Sequence, residues 1–184
     1  TVYAGTCDAW TTAGAAVALR SAFSVSTDAA VSFNQTALID VGAATLVLLD
    51  DVMPTPDGAT VFLSSDDTVD LSLWRSATPA NAASWERVYC RTAAGPSIIR
   101  LAPDWDSAPS VFWADTAAAL LWVSHDGGDV FALPTPPAVP VDIAVESGGS
   151  GGVLYLTSGT NIYKSTNGGY FFGLLVPTGL PVAG

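Results

Sequence analysis

Short apolar runs separated by turn residues recur along the chain. Val2-Tyr3-Ala4, Val61-Phe62-Leu63, Val111-Phe112-Trp113 and Leu154-Tyr155-Leu156 are rich in β-branched and aromatic side chains, with Gly, Pro, Asp or Ser clusters between them. This pattern predicts short strands. A further strand is expected ahead of the last three runs, over Thr45 to Leu49, Ile98 to Leu101 and Val141 to Val145. Helical periodicity is absent apart from an ambiguous alanine-rich stretch, Ala13 to Leu19.

The runs are in phase with a second pattern. Ser124-His125-Asp126-Gly127-Gly128-Asp129-Val130-Phe131 has the form S-x-D-x-G-x-x-F, and Ser165-Thr166-Asn167-Gly168-Gly169-Tyr170-Phe171-Phe172 repeats it with Asn for Asp. Ser26-Thr27-Asp28-Ala29-Ala30-Val31-Ser32-Phe33 fits with Ala30 in the glycine position. A degraded copy runs from Ser76 to Trp85, with Thr78 for Asp and two extra residues. Successive serines lie 50, 48 and 41 residues apart, and Trp74, Trp122 and Tyr163 stand two residues before the last three. Each unit reads as four short strands, over roughly 1–40, 44–92, 97–137 and 141–178.

Four strands per repeat of this length is the period of a β-propeller blade. A four-stranded sheet apolar on both faces cannot bury them alone, so sheets stack face to face. The expected fold is therefore all-β, a propeller with about four four-stranded blades in a single domain. The first unit lacks one strand, and Leu180 to Gly184 begins what reads as another. The expectation is a small ring closed by its ends or, in preference, an arc of a larger propeller.

The repeated S-x-D-x-G-x-x-F motif resembles the Asp-box, or bacterial neuraminidase repeat, found in sialidase-, xyloglucanase- and sortilin-type propellers. The resemblance spans the chain in four units, two of them well matched. It implies a structural role for Ser26, Asp28, Phe33, Ser76, Trp85, Ser124, Asp126, Gly128, Phe131, Ser165, Asn167, Gly169 and Phe172. Residue chemistry suggests how: Asp126 or Asn167 accepts turn N–H groups, Ser124 or Ser165 cross-bonds the turn, and Gly128 or Gly169 supplies a permissive backbone. Phe33, Trp85, Phe131 and Phe172 are expected to pack inward. The resemblance also implies a secreted, cell-surface or periplasmic protein.

Composition narrows the function classes. Charged residues are only 12% of 184, and 17 acids against 6 bases give a net charge of −11. Five scattered arginines and Lys164 supply no basic patch for a phosphate backbone, so nucleic acid is not an expected partner. At 49% hydrophobic content with six Trp, the chain carries enough apolar mass for a core. Its apolar runs, such as Gly42 to Leu49, are too short or too broken by proline for a membrane-spanning helix. Abundant Thr, Ser, Ala and Gly with almost no Lys agrees with a secreted location, and Asn34-Gln35-Thr36 is a glycosylation triplet. Cys7 and Cys90 are too few for a zinc site, and no bridge between them is expected.

Catalytic chemistry finds little support. A sialidase site needs an arginine triad and a Tyr–Glu pair, and Arg20, Arg75, Arg87, Arg91, Arg100, Glu86 and Glu146 do not match it residue by residue. One histidine, His125, stands without a nucleophile-elbow motif. The Gly148-Gly149-Ser150-Gly151-Gly152 run lacks the Lys-Ser/Thr of a phosphate loop and reads as a flexible loop. Pro134 to Pro140 reads as a linker between units. Asp104-Trp105-Asp106 combines two carboxylates with an indole able to stack on a sugar, making it the candidate glycan contact. Asp66, Asp67 and Asp70 are a weak Ca²⁺ candidate; otherwise no metal and no cofactor is called for. The reading is a non-catalytic scaffold or module for a protein or carbohydrate surface, with further blades or copies of itself as other partners. The alternative is a fragment of a secreted Asp-box glycoside hydrolase.

Overall fold

A computed structural model describes residues 1–7, 21–39, 48–66, 69–79, 85–92 and 95–175. Ala13 to Leu19, Asp67 and Leu180 to Gly184 lie outside them. The protein is all-β, with four antiparallel sheets, each formed by one continuous stretch of sequence. The chain divides into two compact units, Thr1–Ile99 and Arg100–Gly184.

The first unit holds two sheets. β1 (Val2–Cys7), β2 (Ser21–Ser26) and β3 (Asn34–Ile39) pair in sequence order. β4 (Leu48–Pro54), β5 (Val61–Asp66), β6 (Asp70–Ser76) and β7 (Glu86–Thr92) form a four-stranded meander. Every residue of β5 is buried, so both of its faces are covered, as its unbroken Val61-Phe62-Leu63 run requires. Phe23 and Val25 of the first sheet meet Val61 and Leu63 of the second in one apolar cluster. Within it the Phe23 ring stacks on Tyr3 at 5.8 Å and meets Trp85 edge-on at 4.8 Å.

Of the expected strand Thr45 to Leu49, residues 45–47 lie outside the described residues, and Leu48 and Leu49 open a strand that runs on to Pro54. The strand observed is β4, which carries Asp50 and Asp51 and pairs Pro54 with Val61, with a bulge between Leu49 and Asp51. Two aspartates are poor strand formers, which is why the apolar run before them looked the better candidate. Their carboxylates have a task in the strand. Asp50 accepts Ser97 N–H at 3.1 Å and Ser97 O–H at 2.8 Å, and Asp51 accepts Ile99 N–H at 2.8 Å. Side chains thus satisfy N–H groups of the strand that begins at Ser97.

The second unit is built from β8 (Ser97–Leu101), whose last two residues enter it, with β9 (Val111–Asp115) and β10 (Leu120–Ser124), then a second meander. That meander is β11 (Asp142–Val145), β12 (Leu154–Ser158), β13 (Asn161–Ser165) and β14 (Gly173–Leu175). The third sheet has three strands where four were expected. Only a bridge from Val123 to Ala132 marks the outer position. Proline explains the loss: Pro134, Pro136, Pro137 and Pro140 follow at once and cannot donate to a ladder. The β9–β10 turn is fixed by buried Asp115, whose Oδ1 accepts Ala117 and Ala118 N–H at 2.7 and 2.9 Å.

Candidate functional site

Among the described residues, elaborate polar turns leave the third strand position in the first, third and fourth sheets. In the third sheet Ser124 Oγ donates to Asp126 Oδ1 at 2.6 Å and accepts Gly128 N–H at 2.9 Å. The same carboxyl oxygen accepts Asp129 and Val130 N–H at 3.1 and 3.0 Å. The fourth sheet repeats this, with Ser165 Oγ donating to Asn167 Oδ1 at 2.9 Å and accepting Gly169 N–H at 2.9 Å. Asn167 Oδ1 also takes Phe171 N–H at 3.0 Å. An amide oxygen accepts as a carboxylate does, so Asn can replace Asp in this role.

In the first sheet Ser26 Oγ donates to Asp28 Oδ1 at 2.7 Å and accepts Ala30 N–H at 2.9 Å. Asp28 then receives Ser32 N–H at 2.9 Å and Ser32 O–H at 2.6 Å. The second sheet keeps a remnant, a 3.3 Å bond from Thr78 N–H to buried Ser76 Oγ.

Backbone geometry explains the paired glycines. Gly127 and Gly128 have φ of 78° and 93°, and Gly168 and Gly169 have 69° and 92°. The first turn imposes the same left-handed pair on Ala29 (58°) and Ala30 (70°). An L-residue there costs about 1–2 kcal/mol, only partly offset by the greater unfolded-state freedom of glycine. The double substitution Ala29→Gly/Ala30→Gly is therefore expected to raise stability by about 0.5–1 kcal/mol, or about 2 °C in a thermal melt. A lowered midpoint would refute the strain.

The aromatic that closes each repeat does not behave uniformly. Phe172 is buried, Trp85 packs on Phe23 and Phe131 is half-buried. Phe33, expected to pack inward, is 44% exposed, so polar bonds rather than a buried ring hold the first turn.

Electrostatics follow the same bonds. Hydrogen bonds from the Ser32 side chain and backbone, then from Ser26, hold the Asp28 carboxyl at about 2. Burial pushes Asp126 up, yet bonds from Ser124, Val130 and Asp129 outweigh it and leave the group below its ordinary 3.8. Carboxylates so committed are acceptors rather than proton donors at neutral pH. The sign for Asp28 is that of a depressed acid. Its stabilising effect is complete above the ordinary value of 3.8 and is lost as pH falls towards 2. A carboxyl-carbon NMR titration should place Asp28 near 2, and Ser32→Ala should move it upward. A value near 3.8 in the parent protein would contradict the bonding.

One further turn of this chemistry escaped sequence reading. Between β4 and β5, Thr55 Oγ1 donates to Asp57 Oδ1 at 2.6 Å and accepts Thr60 N–H at 3.0 Å. Asp57 Oδ1 also takes Ala59 N–H at 3.0 Å. The signal was present as Pro56-Asp57-Gly58 with a hydroxyl two residues before the acid.

The candidate glycan contact lies in the β8–β9 loop. Asp104 and Asp106 are exposed and Trp105 is half-buried. Asp104 is partly occupied: its Oδ1 accepts Gly148 N–H at 2.8 Å, while its carbonyl takes Ser107 and Ala108 N–H at 3.0 and 2.9 Å. Of the calcium candidates, Asp66 is buried with Oδ2 on Gly95 N–H at 2.9 Å, and Asp70 opens β6. Among the described residues no three His, Cys, Asp or Glu side chains converge as a metal site. Arg75 pairs with Glu86 at 3.0 Å, Arg87 lies 5.6 Å from the Trp74 ring centroid, and Arg100 grips Asp142 through Nε and Nη2 at 3.0 and 2.6 Å. Cys90 is an exposed free thiol. Among the described residues no helix is long and apolar enough to cross a membrane.

The Gly148–Gly152 run, expected to be flexible, is packed. Gly148 N–H meets Asp104, Gly149 N–H meets Ser110 Oγ at 2.7 Å, and Gly152 N–H closes on Gly149 O at 2.9 Å. Gly168 N–H from the fourth-sheet turn bonds Gly152 O at 2.9 Å. Gly148 and Gly152 sit where backbones approach too closely for a side chain, and Gly149 takes a left-handed φ of 77°.

Compared with known protein families and with curated proteins, the chain matches none.

Proposed function

We propose that the chain is an Asp-box scaffold of the propeller type, non-catalytic, that presents its loops to a protein or carbohydrate surface outside the cell or in the periplasm. One observation carries the reading: the same Ser–Asp/Asn turn closes three of the four sheets with the same pair of bonds, Oγ–H to the acid or amide and N–H to Oγ. These acids and amides are spent on architecture. Sheets buried on both faces support stacked blades, and the bonds from β4 to β8 and from β8 to β11 support inner strands running side by side within each unit. The acidic, lysine-poor composition supports an extracellular or periplasmic location.

The exposed Asp104, Asp106 and half-buried Trp105 are the glycan-contact candidate on this scaffold. A glycan array read beside a fluorogenic glycoside panel tests the proposal. Retention of a glycan or protein ligand without turnover is the expected result. Robust hydrolysis of any glycoside would replace the scaffold reading with that of a glycoside hydrolase fragment.

A further inference from the structure

His125 is the only histidine of the chain, and it sits where three loops of the second unit meet. Its Nδ1 is 2.9 Å from Ser110 Oγ. Ser110 is fully buried, and its Oγ already accepts Gly149 N–H at 2.7 Å. The hydroxyl proton of Ser110 therefore has to go elsewhere, and Nδ1 is the acceptor in reach. A relay results, Gly149 N–H to Ser110 O–H to His125 Nδ1, which requires the neutral imidazole with its proton on Nε2.

Nε2 faces the Gly168 backbone so closely that a Cβ on Gly168 would lie 2.6 Å from it. The ring also contacts Phe112 of β9 at 6.0 Å and Tyr170 at 5.6 Å, centroid to centroid. One imidazole thus touches the β8–β9 loop, β9 and the fourth-sheet turn, and is linked to the glycine-rich loop through Ser110.

We infer that His125 is a proton-sensitive latch holding the β8–β9, β11–β12 and β13–β14 loops of the second unit together, and that protonation at Nδ1 loosens them. Protonation reverses the relay. Nδ1–H then points at Ser110 Oγ beside Gly149 N–H, and the buried hydroxyl proton loses its acceptor. Leaving such a donor unmade costs about 1–3 kcal/mol.

The ionisable groups facing the latch are few. Asp126, on the same turn, favours the imidazolium. Tyr170 lies against the ring, and Asp104 is engaged with Gly148 N–H next to the relay. Burial is the larger influence and pushes His125 below its ordinary 6.5, against the Gly168 backbone and Asp126, which raise it. With a depressed base, the unfolded chain takes up the proton first. Stability is complete above 6.5 and declines as pH falls through the folded-state value. The latch needs no ligand, so it stands or falls separately from the scaffold reading.

The test is an NMR titration of the full chain between about pH 8 and 5, the range in which histidine is the side chain that titrates. His125 should titrate below 6.5, with the Gly149 and Gly168 amides shifting at the same midpoint and losing protection against hydrogen exchange severalfold. In His125→Gln, whose amide oxygen can still accept from Ser110, the decline of the thermal midpoint over this range should vanish. Titration at or above 6.5, or Gly149 and Gly168 amides indifferent to it, would overturn the latch. So would an unchanged pH dependence in His125→Gln. If that variant fails to fold, the parent titration decides alone.

Discussion

Trp122→Ala is expected to lower the stability of the second unit by about 3–5 kcal/mol, the range for large-to-alanine changes at fully buried aromatics. Trp122 and Trp113 are fully buried and directly opposed across the β9–β10 pair, their rings 4.5 Å apart. Removing one indole leaves a void beside the other that close-packed surroundings fill only partly. Typical domains are stable by about 5–15 kcal/mol, so the variant should show a sharply reduced denaturant midpoint by far-UV dichroism. Trp122→Phe, which keeps much of the volume, should lose markedly less. Equal losses for the two variants would show that the pair is not packed as described.

Gly148→Ala is the second large effect. An added methyl would overlap the Ala108 carbonyl oxygen and lie 2.7 Å from Ala102 Cβ and 2.9 Å from Ser110 Oγ. None of these is the free end of a flexible side chain. The β8–β9 loop must therefore shift, breaking the bonds of Asp104 to Gly148 and of Ser110 to Gly149. Overpacking of this kind costs about 3 kcal/mol. Gly151→Ala, three residues away with nothing near its Cβ position, is the matched control and should be nearly silent. Thermal melts of the two variants compared with the parent measure the contrast, and similar midpoints would refute the close packing.

The all-β class was legible from the apolar runs and the glycine, proline and aspartate clusters between them, because short strands buried on both faces leave that signature. The turns were legible because their bonding depends on residue type at fixed spacing: a hydroxyl, then an acid or amide two residues on, then glycine at left-handed positions. What escaped was written in long-range contacts. Asp50 and Asp51 look like loop residues until Ser97 and Ile99 are seen to need acceptors. The Gly148–Gly152 run looks like a flexible loop until Asp104, Ser110 and Gly168 close on it. Phe33 carries the same local pattern as Phe172, yet one is exposed and the other buried. That difference depends on neighbours distant in sequence, to which a local motif is blind. The site was legible only as architecture. Asp104-Trp105-Asp106 was found by composition, but the bond from Asp104 to Gly148 that holds the loop was not.

The most direct measurement of the central claim, that the repeated acids and hydroxyls build turns rather than perform chemistry, is hydrogen exchange at Gly128 and Gly169 by NMR. Both amides are buried and donate to a serine Oγ. Strong protection is expected in the parent protein. Ser124→Ala should release Gly128 alone and Ser165→Ala should release Gly169 alone, each with a stability loss of about 1–3 kcal/mol from the orphaned donor. Free-peptide exchange at either amide in the parent, or protection indifferent to its own serine, would contradict the account.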